Sequence, residues 1–248
     1  MFNARIEVAN ELAKCVTSID GIVLDEFLKA PTFRNADYWF KSENVVAELK
    51  QLEADWFSQD TFQTKLSTLY AGWIKQGTVP RPSSYPVQIE LQNLPVYCAR
   101  EVLDPLKRKL EVTTVKEANK QIRETKKNLN IPSAKGLLIL VNEGNRALRP
   151  EVMGHLLRRI LKAAHSNIHS VIYFSANELV SIPSVSMPSY FWIDWVFQSR
   201  EPVARELLTK LQDAWMRHYS TLIPDPLYVL DGKSSTDLMR KINFAQQT

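Results

Sequence analysis

The chain has 248 residues, 45% of them hydrophobic and 23% charged, and a formal net charge of +4. That composition is ordinary for a globular domain with one sizeable core, and the seven Gly and 13 Pro argue against a repeat or low-complexity architecture. The mild positive charge admits a polyanionic partner without demanding one, and no run approaches the roughly 18 apolar residues of a membrane span.

Residues 3–16 place Ile6, Val8 or Ala9, Leu12 and Ala13 on one helical face, which predicts an amphipathic helix. The opening MFNARIEVANEL contains acidic residues and no long apolar core, so it does not read as a secretory signal. Cys15 and Cys98 are far apart and form no Cys-x-x-Cys, which argues against a zinc knuckle or redox pair and points to a reducing, cytoplasmic setting. A strand is predicted at 22–28, followed by short strands at 36–40 and 45–50. SQDTFQTKLSTLYAGWIK (58–75) predicts an amphipathic helix closed by Gly77. A Pro-rich loop follows, then VQIEL, whose strict alternation predicts a half-buried strand. Residues 114–129 return to helix, with Thr114 as a candidate cap.

Beyond this point the pattern is α/β. GLLILVN (136–142) and HSVIYFS (169–175) are continuous apolar runs, as expected of strands buried on both faces, and YFWIDWVFQ (190–198) is a third. Helices are predicted at 150–165 and 201–220, each with Pro near its first turn. PLYVL (226–230) ends the regular pattern. The expected fold is a single α/β domain over 1–248, with a central mixed sheet covered by helices on both faces.

The chemistry concentrates in NADYWFKSENVVAELK (35–50). Side chains alternate along a strand, so Val46, Glu48 and Lys50 share one face and Val45, Ala47 and Leu49 the other. If strands 36–40 and 45–50 form a hairpin closed by KSEN, pairing Phe40 with Val45 sets Asp37 opposite Glu48. Opposed residues have Cβ atoms about 4.5–5.5 Å apart, and like charges there are destabilising. A divalent cation would offset the repulsion, and carboxylate oxygens are what Mg²⁺ prefers. Lys50 beside it could position or deprotonate a water, or stabilise charge on phosphorus. The alternative is a hairpin with Asp37 at its edge and Glu48–Lys50 as a pair on a solvated face. A slip of one residue would decide for it by turning Asp37 to the other face.

A carboxylate followed, on the next strand, by apolar–Glu-x-Lys resembles the PD-(D/E)XK nuclease superfamily, the restriction-endonuclease-like fold. The resemblance covers roughly residues 3–50 and 116–142, and Ala36 stands where the family often has Pro. It implies that Asp37 and Glu48 bind Mg²⁺ (or Mn²⁺) and that Lys50 is the catalytic lysine. An acid of the first helix, Glu7 or Glu11, would join the metal. Lys120, Gln121 and Arg123 on the crossover helix would face the nucleic acid. Residues 52–114 would be an insertion in the core, serving substrate recognition, a protein partner or a homodimer contact. The implied activity is metal-dependent hydrolysis of phosphodiester bonds, in DNA ahead of RNA. The alternative is a non-catalytic nucleic-acid-binding or interaction protein that keeps the fold.

The remaining features carry less. The basic helix 116–127 could contact phosphates. Phe191, Ile193, Trp195 and Phe197 would form a packed face of their strand, leaving Tyr190 and Trp192 as candidate stacking platforms and Asp194 in need of a partner if buried. DGKSS (231–235) lacks the upstream Gly of a phosphate-binding loop, since Leu227 stands there. His155, His165, His169 and His218 show no metal-binding spacing, and His155 and His165 are expected on one helix.

Overall fold

The computed structural model describes residues 5–29, 33–82, 91–162, 164–180, 190–196 and 201–223. Its centre is the pair of apolar runs anticipated above: β4 (Lys135–Asn142) and β5 (Ser170–Ser175), buried almost throughout. They lie in a six-stranded sheet of order β1-β2-β3-β4-β5-β6. β1 (Ile22–Val23), β2 (Tyr38–Phe40) and β3 (Val45–Leu52) form an antiparallel meander. β3, β4 and β5 are parallel, and β6 (Trp192–Val196) closes the sheet antiparallel to β5. The protein is therefore α/β with a mixed open sheet.

Alternation along the strands divides the core in two. On one face α1 (Val8–Ser18) and α7 (Arg205–Leu222) cover Tyr38, Phe40, Val45, Ala47, Leu49, Ile139 and Phe174. On the other, α4 (Val96–Leu110), α5 (Lys116–Asn128) and α6 (Pro150–Leu161) cover Val46, Leu138, Leu140 and Tyr173. The α5 residues Ala118 and Ile122, with Val115 just before the helix, form a fully buried stripe. Burial of a side chain such as Ile122 is worth about 1.5–3 kcal/mol. Gly136 lets the chain cross close beneath it: a Cβ there would stand 1.9 Å from the Asn167 carbonyl oxygen and 2.9 Å from Ile122 Cγ2.

Several expected elements are redrawn. The strand expected at 22–28 is cut after Val23, because α2 (Leu24–Leu28) begins with Asp25 and Glu26 in its first turn, where acids suit the helix dipole. Thr114 is no cap: it is buried in a π-helical turn, Glu111–Val115, that joins α4 to α5 in one unbroken helical run. α4 has no counterpart among the predicted elements, although Cys98, Val102, Leu106 and Leu110 recur at helical spacing.

Within the segment read as an insertion, α3 (Asp60–Lys75) docks on α4 through a small cluster around Trp73, Val79, Cys98 and Val102. α4 itself packs into the main core through Leu103, Leu106 and Leu110. α6 ends at Leu161, so His165 is not on the His155 helix but beyond its end, at φ 64°. Trp192 stacks on Phe174 at 4.7 Å and Tyr190 packs edge-on against Tyr219 at 5.1 Å, so both rings serve the core. Asp194 pairs with Arg205. Cys15 and Cys98 are buried free thiols. Among the described residues no helix is long and apolar enough to cross a membrane. Residues 87–90 of VQIEL, Phe197, PLYVL and DGKSS lie outside the described residues.

Candidate functional site

The register at the meander is Phe40 with Val45, Trp39 with Val46 and Tyr38 with Ala47. One further step along it sets Asp37, which enters β2, opposite Glu48. Asp37, Glu48 and Lys50 thus belong to the sheet face shared with Trp39 and Val46, beneath α5. The tight turn that fixes this register closes with Asn44 at φ 55°, its N–H donating to the Lys41 carbonyl at 3.3 Å.

The polar atoms form a chain. Asp37 Oδ2 accepts the Leu49 N–H at 2.7 Å. Lys50 Nζ lies 2.6 Å from Glu48 Oε1 and donates to Gln121 Oε1 at 2.8 Å. Gln121 Nε2 donates in turn to the Asn35 carbonyl at 3.0 Å, and Asn35 Nδ2 donates to Asp25 Oδ1 at 2.8 Å. One helical turn beyond Gln121, Thr125 Oγ1 accepts the Ala36 N–H at 2.7 Å. α5 therefore grips the entry to β2 at the Asn35–Ala36 peptide unit, one residue before Asp37.

Glu48 is the most confined member, 1% exposed, and its Oε2 has no hydrogen-bond partner among the described residues. Burial first, then the neighbouring Asp37 charge, pushes its carboxyl up to about 9 against the opposing pull of Lys50. Burial likewise raises Asp37, while the Leu49 N–H and Lys50 lower it. Two facing carboxyls in this setting cannot both ionise cheaply. Either a proton held between them or a cation would satisfy the orphaned oxygen.

Of the residues predicted for the site, Asp37, Glu48, Lys50 and Gln121 are brought together. Glu11 is elsewhere: it binds Lys14 Nζ at 2.8 Å and His218 Nε2 at 2.5 Å, between α1 and α7 on the opposite sheet face. Glu7 is exposed at the start of α1. Lys120 is exposed and lies 3.9 Å from Glu124, on the same helix. Arg123 is two positions beyond Gln121, which carries it to nearly the opposite side of α5. The helix was read correctly, but its inward face is set by Ala118, Ile122 and Thr125, and that phase leaves only Gln121 at Lys50.

Asn35, Asp25 and Thr125 were not anticipated. Asn35 stands two residues before Asp37 and could have been read as a turn residue that bonds its neighbours. Asp25 was hidden by the strand assigned to it. Among the described residues no group of three or more His, Cys, Asp or Glu side chains is disposed to hold a metal ion. Compared with protein-family models, with curated proteins and with solved structures, the chain matches none.

Proposed function

We propose that the chain is a metal-dependent nuclease of the PD-(D/E)XK type, hydrolysing phosphodiester bonds in DNA ahead of RNA. The observation that carries this reading is the convergence of Asp37, Glu48, Lys50 and Gln121 under α5, with one Glu48 oxygen buried and without a partner among the described residues. The donor set suits Mg²⁺ or Mn²⁺. Such ions take hard carboxylate oxygens, keep several waters and use one or two protein carboxylates completed by phosphate oxygens. Asp37 and Glu48 would hold the ion, and the remaining positions fall to water and substrate, since Glu11 is committed to His218. Bound there, a divalent cation would neutralise the carboxyl pair and polarise a phosphoryl oxygen. Lys50, its ammonium fixed between Glu48 and Gln121, is held ready to stabilise charge developing on a phosphoryl group.

One observation favours a second reading. Lys50 already compensates Glu48 at 2.6 Å, so the cluster can stand without metal in a non-catalytic nucleic-acid-binding or interaction protein. The test is incubation of the full chain with single- and double-stranded DNA, and with RNA, with and without Mg²⁺ or Mn²⁺. Metal-dependent cleavage abolished by Lys50→Ala, with an unchanged circular dichroism spectrum, supports the nuclease. Binding without cleavage under every metal selects the second reading.

A further inference from the structure

We propose that the C-terminal end of α5 carries a phosphate-binding pocket, separate from the Asp37–Glu48 site. A cavity of about 310 Å³ opens there, lined by Arg123, Lys126 and Lys127 together with Asn130, Pro132 and Asn167. Its three ionisable residues are all cationic, and no acid among the described residues lines it.

The decisive side chain is Lys126. It is only 9% exposed, yet it lines the cavity. No hydrogen bond or ion pair among the described residues engages the side chain of Lys126, Arg123, Lys127 or Asn130. Basic groups elsewhere around the same helix do find acids: Lys120 lies near Glu124, and Arg34 reaches Glu117 at 3.1 Å. The Lys126 stem is packed while its ammonium, unpartnered among the described residues, opens to the cavity, and partial burial lowers Lys126 from the ordinary lysine value. The negative end of the α5 dipole offsets part of that desolvation cost. It does not explain why three cations surround one open space.

Asn130 shapes the wall. It ends the helix in the left-handed region at φ 55°, its N–H donating to the Lys127 carbonyl at 3.2 Å, and from there it lines the cavity. An arginine fork, two ammonium groups and an amide match the several oxygens of a dianionic phosphate better than a single carboxylate. The volume sits at the small end of ligand pockets, which run from roughly 300 to 1,000 Å³. It suits a phosphate, free or on a small group, and not a duplex. Because Arg123 and Gln121 face nearly opposite ways on α5, the pocket does not depend on the nuclease reading.

The test uses the full chain without divalent metal, at ionic strength held constant with chloride. Inorganic phosphate and glycerol 3-phosphate are titrated by calorimetry and by thermal unfolding. The expected result is saturable binding that raises the melting temperature. Arg123→Gln/Lys127→Gln, which alters two exposed side chains, should weaken it about tenfold or more, as expected for lost charge-assisted bonds. Lys126→Met should melt higher than wild type without phosphate, because a partly desolvated charge beside two other cations is gone, and should lose the phosphate response. Tighter binding of glycerol 3-phosphate identifies a monoester as the ligand, and equal or weaker binding identifies free phosphate. No saturable binding above the chloride control would overturn the proposal, as would an undiminished affinity in the double variant.

Discussion

Replacing Glu48 by Gln tests the electrostatics of the cluster directly. The change keeps the shape and removes the titration. In the unfolded chain Glu48 ionises near 4.5, and in the fold near 9, because burial and Asp37 disfavour its charge. Between those values the folded protein retains a proton that the unfolded chain has released. An acid raised in this way contributes stability that is fully present below pH 4.5 and is lost as pH rises towards 9. One proton corresponds to a slope of about 1.4 kcal/mol per pH unit. The loss across the interval is on the order of several kcal/mol, a large part of a typical domain's total stability. Asp37, raised by burial as well, acts in the same direction. Urea denaturation of wild type and Glu48→Gln at pH 5, 7 and 9 reads this out. The two should be similar at pH 5, and wild type should be the weaker at pH 9. Adding Mg²⁺ at pH 8 should restore stability to wild type alone, because a cation bound only by the folded state stabilises it. A wild-type stability that is flat or rising from pH 5 to 9, parallel to the variant, would refute the reasoning. It would mean that Glu48 is ionised in the fold and fully satisfied by Lys50.

Glu11→Gln should leave the melting-temperature response to Mg²⁺ unchanged, since Glu11 is bound to Lys14 and His218 on the other sheet face; a lost response would return Glu11 to the metal. Gly136→Ala should destabilise by about 1–3 kcal/mol or more in chemical denaturation, because the added Cβ would meet the Asn167 carbonyl oxygen, a backbone atom, at 1.9 Å.

The apolar runs 136–142 and 169–175 announced β4 and β5, because strands buried on both faces need apolar side chains at every position. The same alternation rule put Glu48 and Lys50 on one face, a local constraint that the sequence determined alone. The register that sets Asp37 opposite Glu48 was one of two the sequence allowed, and the pairing of Phe40 with Val45 in the folded meander decided it. Residues 22–28 misled because an apolar–acidic mixture fits a strand edge or a helix start equally well. Tertiary hydrogen bonding decided it: the β1–β2 ladder ends with the Leu24 N–H donating to the Asp37 carbonyl at 2.8 Å, because the preceding Ala36 N–H and Asn35 carbonyl bond to α5 instead. The phase of α5 was equally beyond the sequence. Lys120, Gln121 and Arg123 are all polar, and only the seating of Ala118, Ile122 and Thr125 against the sheet turned Gln121 to Lys50 and Arg123 away. Glu11 went with α1 to the opposite sheet face, where it meets His218, a residue 207 positions distant. A helix's spacing specifies which residues share a face, but the direction of that face depends on what the rest of the chain packs beneath it.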